Sequence, residues 1–415
     1  MTAVLATLRG ALPTARPDHT PIVAALVLVL AAGLAFSITL SETTLVVLAL
    51  VLLLGASWDA LRRAPLLAPL AAFAAWTVVA AALSAEPADS LRATKTLLPL
   101  ATMWIVLAAL PSSDAARRFA TALFVAITAA ALSSIVQVVT CPADGGYGPG
   151  PNIPVVAGFF RKCARAHAFF SIYMTLAGVL TVVLTLTLAR LRSFTRPVLV
   201  TGAWLVGAVA LGLTLVRGAW LGFVVGAGLT LTLVRRRLLA VAVLVALVVA
   251  ALAMPQVHRR IETIGDPADD TTRDRVAMIR GGLRLIHEHP VAGVGPGQVK
   301  RLYPAYAPPE ALRRHTSHLH NTPLQIAVER GLVGLGLWSW IFAAFFVRAA
   351  RVLRRVPATA VADRALVVGA LAAVAAFLVA GLFEYNFGDT EVLLVTLAVM
   401  ALPFVVERDL ERRAA

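Results

Sequence analysis

His315-Thr316-Ser317-His318-Leu319-His320-Asn321-Thr322-Pro323-Leu324-Gln325 brings three histidines into six residues, directly ahead of the apolar run 324–347. That run is long enough to cross a bilayer, which takes about 20 apolar residues. Its start carries helix-start signals: Thr322 as N-cap, Pro323 at the first helical position and Gln325 at capping-box spacing. His320 is therefore expected just outside the N-terminus of a membrane helix. The partial positive charge there favours a neutral imidazole, a form able to take a proton. Two readings stand on position alone: a proton-accepting histidine at the membrane surface, and a histidine that only caps a helix.

The chain around this stretch is of one kind. Of 415 residues, 59% are hydrophobic and 14% charged, and the mean hydropathy is +0.84. A soluble domain is less apolar and more charged. Apolar runs at 21–36, 43–57, 65–83, 97–110, 119–140, 167–189, 198–216, 218–234, 238–254, 323–347, 365–383 and 391–406 predict an all-α integral membrane protein of about 12 transmembrane helices. The whole chain, 1–415, reads as a single polytopic membrane domain. A large, partly helical periplasmic loop, 255–320, falls between spans 9 and 10, and a smaller periplasmic loop covers 141–166. The stretch to Thr20 lacks a cleavage pattern, so no cleavable signal is expected. Trp58, Trp76 and Trp104 read as interfacial anchors or packing residues.

Charge gives the orientation. With the N-terminus inside, the inside segments hold 20 basic residues, among them Arg117, Arg118, Arg190 and the Arg235-Arg236-Arg237 run. The short outside segments hold only Arg92, Lys95, Arg161, Lys162, Arg165 and Arg217. This bias predicts both termini in the cytoplasm. The net charge of +15 then comes from this inside clamp, where anionic lipid assists, and from the basic loop 255–320. Nucleic acid is not an expected partner, because that loop faces the wrong compartment.

The outside segments carry the chemistry. Cys141 and Cys163, the only cysteines, share one outside loop, which suggests a disulfide; two free thiols are the alternative. Arg217 stands inside an apolar stretch too long for one span, so the chain is expected to turn there. A charge at that depth calls for a partner: either a ligand or water reached by snorkelling. In the large loop, 271–288 reads as an amphipathic helix capped by Thr271 and stopped by Pro290. Val276, Ile279, Leu283 and Ile286 form its apolar stripe, Arg273, Arg280 and Arg284 one flank, and Arg275 the other. It suits a bilayer surface or the cover of a cavity. Gly293-Val294-Gly295-Pro296-Gly297 lets backbone amides approach something closely and fits no phosphate-loop or dinucleotide fingerprint. No zinc motif occurs, and Asp266, Asp269 and Asp270 read as turn residues, so no metal or cofactor is expected. A histidine base among arginines suits a phosphorylated, lipid-carried donor.

These residues resemble the O-antigen ligase family, within the wider group of O-antigen ligases and polymerases. The family pattern of His, then Asn/Ser/Gln, nine residues, and Gly-x-x-Gly/Thr/Tyr is met by His320-Asn321, residues 322–330, and Gly331-Leu332-Val333-Gly334. Arg217 stands at the family's span-end arginine, and Arg275 precedes His289-Pro290-Val291-Ala292-Gly293-Val294-Gly295 as in the family. The second half of the chain carries the resemblance; the first half agrees by topology.

The resemblance implies a metal-independent glycosyltransferase of the bacterial inner membrane that works on the periplasmic face in lipopolysaccharide biosynthesis. The donor is O-antigen polysaccharide on undecaprenyl pyrophosphate, and the acceptor a sugar hydroxyl of lipid A–core. His320 is implied as general base, with Arg217 and Arg275 on the pyrophosphate. Arg280 is the alternative to Arg275, and Arg161 and Arg165 are further phosphate contacts or interfacial residues. His315 and His318 are expected to matter less. The alternatives are an O-antigen or exopolysaccharide polymerase, a protein O-oligosaccharyltransferase and, in another class, a lipid-linked glycan transporter or flippase.

Overall fold

The computed structural model describes residues 20–53, 64–142, 144–146, 158–234 and 270–414. The expected span 238–254, the Arg235-Arg236-Arg237 run, Trp58, Asp266 and Asp269 lie outside these residues. Helices α1 (Thr20–Phe36), α2 (Ile38–Leu53), α3 (Leu67–Ala82), α4 (Pro87–Ala93), α5 (Thr102–Ala109), α6 (Ser113–Val139), α7 (Tyr173–Arg190), α8 (Pro197–Leu213) and α9 (Arg217–Leu233) form the first part. Helices α10 (Asp270–Glu288), α11 (Val299–Tyr306), α12 (Thr322–Arg355), α13 (Val361–Ala380) and α14 (Thr390–Ala414) form the second. No strand occurs among the described residues.

Each of the other expected apolar runs contains helix, but the runs are unequal. Among the described residues, six helical stretches are long and apolar enough to cross a membrane, and five apolar helices are shorter. The expectation of about 12 full spans took every run as an unbroken helix. The run 97–110 is part 3₁₀ helix, Thr94–Ala101, with Pro99 inside it. The described residues thus give a multi-pass helical membrane protein, not a count of 12 spans.

Helices α7, α13 and α14 are the most buried, and α9 packs on them through small residues. A Cβ at Gly222 would sit 2.5 Å from the Ala376 carbonyl oxygen, and one at Gly226 2.8 Å from the Ala376 Cβ. Glycine at four-residue spacing lets the two backbones meet, as is common between membrane helices.

Helix α12 positions the site and is not one straight helix. Gly331 has φ 68° and ψ −177°, a conformation essentially reserved for glycine. The piece 322–330 is therefore separate from the apolar piece that follows, and His320 does not directly precede the long span as expected. A break in a helix frees carbonyls that must find other donors. Here Leu332 N–H turns to the Pro290 carbonyl (2.7 Å). The Val328 carbonyl accepts from Val294 N–H (2.9 Å) and the Glu329 carbonyl from Gly295 N–H (3.0 Å). The Arg330 carbonyl accepts from Trp76 Nε1 (2.8 Å). The glycine-rich segment 293–297 thus approaches the break in α12, and Trp76 pairs a freed carbonyl rather than anchoring at an interface.

Helix α10, Asp270–Glu288, is the amphipathic helix expected at 271–288. Its apolar stripe does not face inward: Val276, Ile279 and Leu283 are exposed. The buried face is Asp274, Ala277, Met278, Gly281, Gly282 and Leu285. Met278 and Leu285 join Val294, Val299, Tyr303, Leu319 and Val328 in a small core separate from the main one. Glycines at 281 and 282 make this the close-packing side: a Cβ on Gly281 would lie 3.0 Å from Tyr303, and one on Gly282 3.0 Å from Leu324.

The interlock at the break predicts a contrast within α12. A Cβ at Gly331 would lie 1.9 Å from the Val291 carbonyl oxygen, whereas one at Gly336 meets nothing within 4 Å. Gly331→Ala should destabilise the protein by at least ~1–3 kcal/mol through backbone strain alone. Gly336→Ala should stabilise it by roughly 0.5–1 kcal/mol through helix propensity. Thermal melting in detergent that ranks the variants in the opposite order would contradict the interlock.

Candidate active site

The start of α12 is stapled to the turn between α13 and α14. Asn321, not Thr322, is the N-cap: its side-chain oxygen accepts from Leu324 N–H at 2.9 Å. The same amide donates through Nδ2 to the Leu382 carbonyl at 2.8 Å. Thr322 is freed for the turn, with N–H to the Gly381 carbonyl (2.7 Å) and Oγ1 to the Glu384 carbonyl (2.9 Å). Gln325 closes no capping box. Its side-chain oxygen accepts from Leu319 N–H (2.8 Å) and its Nε2 donates to Glu329 (2.8 Å). His320, between these fixed points, adopts a left-handed backbone, φ 47°.

This staple brings in a residue that the sequence reading missed. The Glu384 carboxylate, 7% exposed, takes His320 Nδ1 on one oxygen at 2.7 Å and Arg275 Nη2 on the other at 2.5 Å. Arg275 comes from α10, His320 from the lead-in to α12 and Glu384 from the α13–α14 turn. A carboxylate at a histidine's Nδ1 fixes the Nδ1–H tautomer and leaves the lone pair on Nε2. The available signal was an acidic residue within the otherwise apolar Phe383-Glu384-Tyr385-Asn386-Phe387 at a span end.

The other expected residues are distributed as follows. Arg217 is the first residue of α9, half-buried. Its neighbour Gly218 lies against Phe383, which precedes Glu384, so Arg217 approaches the same turn. Arg280 points away, pairing with Glu310 at the surface; of these two candidates, Arg275 is the one that shares Glu384 with the histidine. Arg165 stacks over the Tyr173 ring, 4.6 Å from its centroid. Arg161 lines a cavity of about 370 Å³ with Phe36, Phe159 and His167. Cys141 and Cys163 form a disulfide, Cα–Cα 5.5 Å. Ala166 N–H, just beyond it, donates to the Leu213 carbonyl (3.1 Å) ahead of the turn to Arg217. Gly331 and Gly334 serve the helix break and its contact with Trp76 rather than a ligand. Among the described residues, no group of three or more His, Cys, Asp or Glu could hold a metal ion.

His318 is closer to the site than expected. Its ring lies 4.4 Å from that of His320 and 6.0 Å from that of Tyr385. Burial, then the neighbouring His320, pulls the His318 imidazole down to about 4. Burial and the charge of Glu329 hold the Tyr385 hydroxyl well above its ordinary value, so it remains a neutral partner of Arg330. Beneath lies a buried polar knot: Arg330 bonds Glu329 (2.8 Å) and Thr77 (3.2 Å), and Glu329 also accepts from Gly297 N–H (2.9 Å). His315, by contrast, is exposed.

Residues 201–339 match the family model Wzy_C, O-Antigen ligase. The match runs from α8 to the first turns of α12 beyond the break, and so includes Arg217, Arg275 and His320. No curated protein matches the chain. The match covers about a third of the chain, and the segment is similar to O-antigen ligases over that length.

A histidine buried as the neutral ring ties stability to pH. With the folded value about 4 and an unfolded value near 6.5, the unfolded chain binds more protons between these limits. Stability is therefore lost as pH falls from about 6.5 towards 4, by roughly 2 kcal/mol at pH 5. His318→Gln should flatten the fall in melting temperature between pH 7.5 and 5. An unchanged slope would remove His318 as its source.

Proposed function

Starting from the O-antigen ligase match over residues 201–339, we propose that this protein transfers O-antigen polysaccharide from undecaprenyl pyrophosphate to a lipid A–core sugar hydroxyl. The reaction runs on the periplasmic face of the bacterial inner membrane, with both termini cytoplasmic and about 12 spans. The observation that carries the reading is the shared carboxylate of Glu384, which holds a histidine and an arginine side by side. His320 Nε2 takes the proton of the acceptor hydroxyl as that oxygen bonds to the anomeric carbon of the donor. The bond from the same carbon to the phosphate oxygen breaks, and undecaprenyl pyrophosphate leaves as an anion. Arg217 and Arg275 hold its phosphates and offset the charge that develops. Glu384 stabilises the imidazolium formed on His320 and orients Arg275. In this reading the two guanidinium groups neutralise the leaving pyrophosphate in the place of a metal ion.

A polymerase would use the same residues with a second lipid-linked glycan as acceptor, and a protein O-oligosaccharyltransferase a peptide hydroxyl. Purified protein, lipid-linked glycan and each acceptor in turn, with a chelator present, separates these readings. Ligated lipid A–core is expected. Product only on the second glycan or the peptide reassigns the acceptor, and lipid movement across vesicles with no product makes the protein a transporter. His320→Ala should lower transfer ~10²–10⁴-fold with donor binding retained. Glu384→Gln should cost ~10²-fold by weakening the orientation and charge behind the base. Arg275→Lys should recover part of what Arg275→Ala loses, since it keeps the charge without the fork. Arg280→Ala should stay near wild type. Full activity in His320→Ala would mean that another group is the base.

A further inference from the structure

The end of α7 remote from the candidate site carries an unbalanced charge. Arg190, the last residue of α7, is 3% exposed. Its Nη2 donates to the Arg117 carbonyl (2.9 Å) and to Thr121 Oγ1 (3.0 Å). The Phe194 ring covers its guanidinium at 5.1 Å. Its Nε and Nη1 are buried and have no hydrogen-bond partner among the described residues. Its neighbours do not neutralise it: Asp363 and Asp114 pair with Arg117, and Asp114 also takes Arg118. Among the described residues, three guanidinium groups thus share two carboxylates and leave one positive charge over. A buried charge without a counter-charge costs several kcal/mol.

These arginines close one end of a groove of about 600 Å³ between α1 and α6. Leu28, Ala32, Ala122, Val125 and Ala126 make its apolar walls. Leu28 and Val125 are 54% and 61% exposed, so the groove opens on the side where lipid lies. From Arg117 to Ala126 it follows α6 for about 14 Å at 1.5 Å per residue. A cationic end on an apolar trough is the shape and polarity of a single phospholipid. An α7 helix of 18 residues separates this end from the candidate site by about 27 Å. Thr175, at its other end, bonds Asp389 beside the α13–α14 turn (2.6 Å).

We propose that this groove binds one anionic glycerophospholipid, with its phosphodiester on Arg118 and Arg190 and an acyl chain along Leu28, Ala32, Ala122 and Val125. The phosphodiester supplies the missing negative charge beside Arg118 and Arg190, which a zwitterionic lipid would not, because its own ammonium group cancels its phosphate. Free phosphate shares that chemistry but gains nothing from the trough, so the lipid is the ligand.

Native mass spectrometry of the full chain, delipidated and then offered phosphatidylglycerol, chain-matched phosphatidylcholine or inorganic phosphate, tests this. Phosphatidylglycerol should be retained on the order of 10-fold over phosphatidylcholine, the equivalent of one hydrogen-bonded charge, and should raise the melting temperature. Arg118→Gln removes an exposed side chain and Ala122→Trp fills the trough with all three arginines intact; each should abolish the preference. Arg280→Gln should leave it unchanged. Equal retention of the two lipids, a preference that survives both variants, or a stabilisation reproduced in full by inorganic phosphate would each overturn the proposal.

Discussion

A helix broken inside an apolar body cannot leave its carbonyls unpaired, and the break at Gly331 organises everything near the site. Three carbonyls, of Val328, Glu329 and Arg330, lose partners there. Two amides of the 293–297 segment and the indole of Trp76 replace them. The segment can supply its amides only by lying against the break, and a Cβ at Gly293 would meet the Glu329 backbone at 2.5 Å. That contact fixes where α10 ends, and hence where Arg275 points. The same break turns 322–330 into a short rigid piece whose buried polar residues are joined to α3 and to the α13–α14 turn. The base, the cation and the carboxylate between them are thus consequences of one unpaired backbone.

Much of this was legible in the residues. Hydropathy exposed a multi-pass helical protein, because lipid forces each backbone polar group to be satisfied within its own helix. The histidine before the helix and the arginine at 217 stood out as polar groups in apolar surroundings, whereas Arg275 was picked out only by the family resemblance. The pairing of Cys141 with Cys163 was suggested by their sharing one outside loop. Periodicity found α10 but not which face of it packs on the protein. The stripe Val276, Ile279 and Leu283 has the larger side chains, yet the packed face of α10 is the one with Gly281 and Gly282, because Tyr303 and Leu324 need the room. Capping rules placed the helix start within one residue but misassigned Asn321 and Thr322, whose partners lie some sixty residues ahead. Glu384 is a single acid in a short turn, and no local rule says that two distant segments converge on it. The helix break was legible only as a glycine.

The two ends of the molecule handle charge differently. At the candidate site, one carboxylate is shared by a guanidinium and an imidazole, and in a deeper ion pair Glu329 accepts from Gln325 and Gly297 while Arg330 donates to Thr77. Local charges there balance within the protein. At the far end of α7 they do not, and three arginines crowd two acids.

The left-handed backbone at His320 carries a consequence for how sequences can vary there. Residues with short polar side chains, asparagine above all, enter that region of φ and ψ readily, glycine does so freely, and β-branched residues are strongly penalised. The tight contacts of Asn321 and Thr322 on the next two residues prevent the chain from relaxing out of it. The position is thus filtered twice, by a conformation that few residues tolerate and by the Nδ1 bond to Glu384, which fewer still can make. Histidine is among the few side chains that pass both filters and still present a second nitrogen to a substrate. An inactive relative with the scaffold intact would be expected to carry asparagine or glycine here, and one with valine or isoleucine would have lost the staple as well as the imidazole.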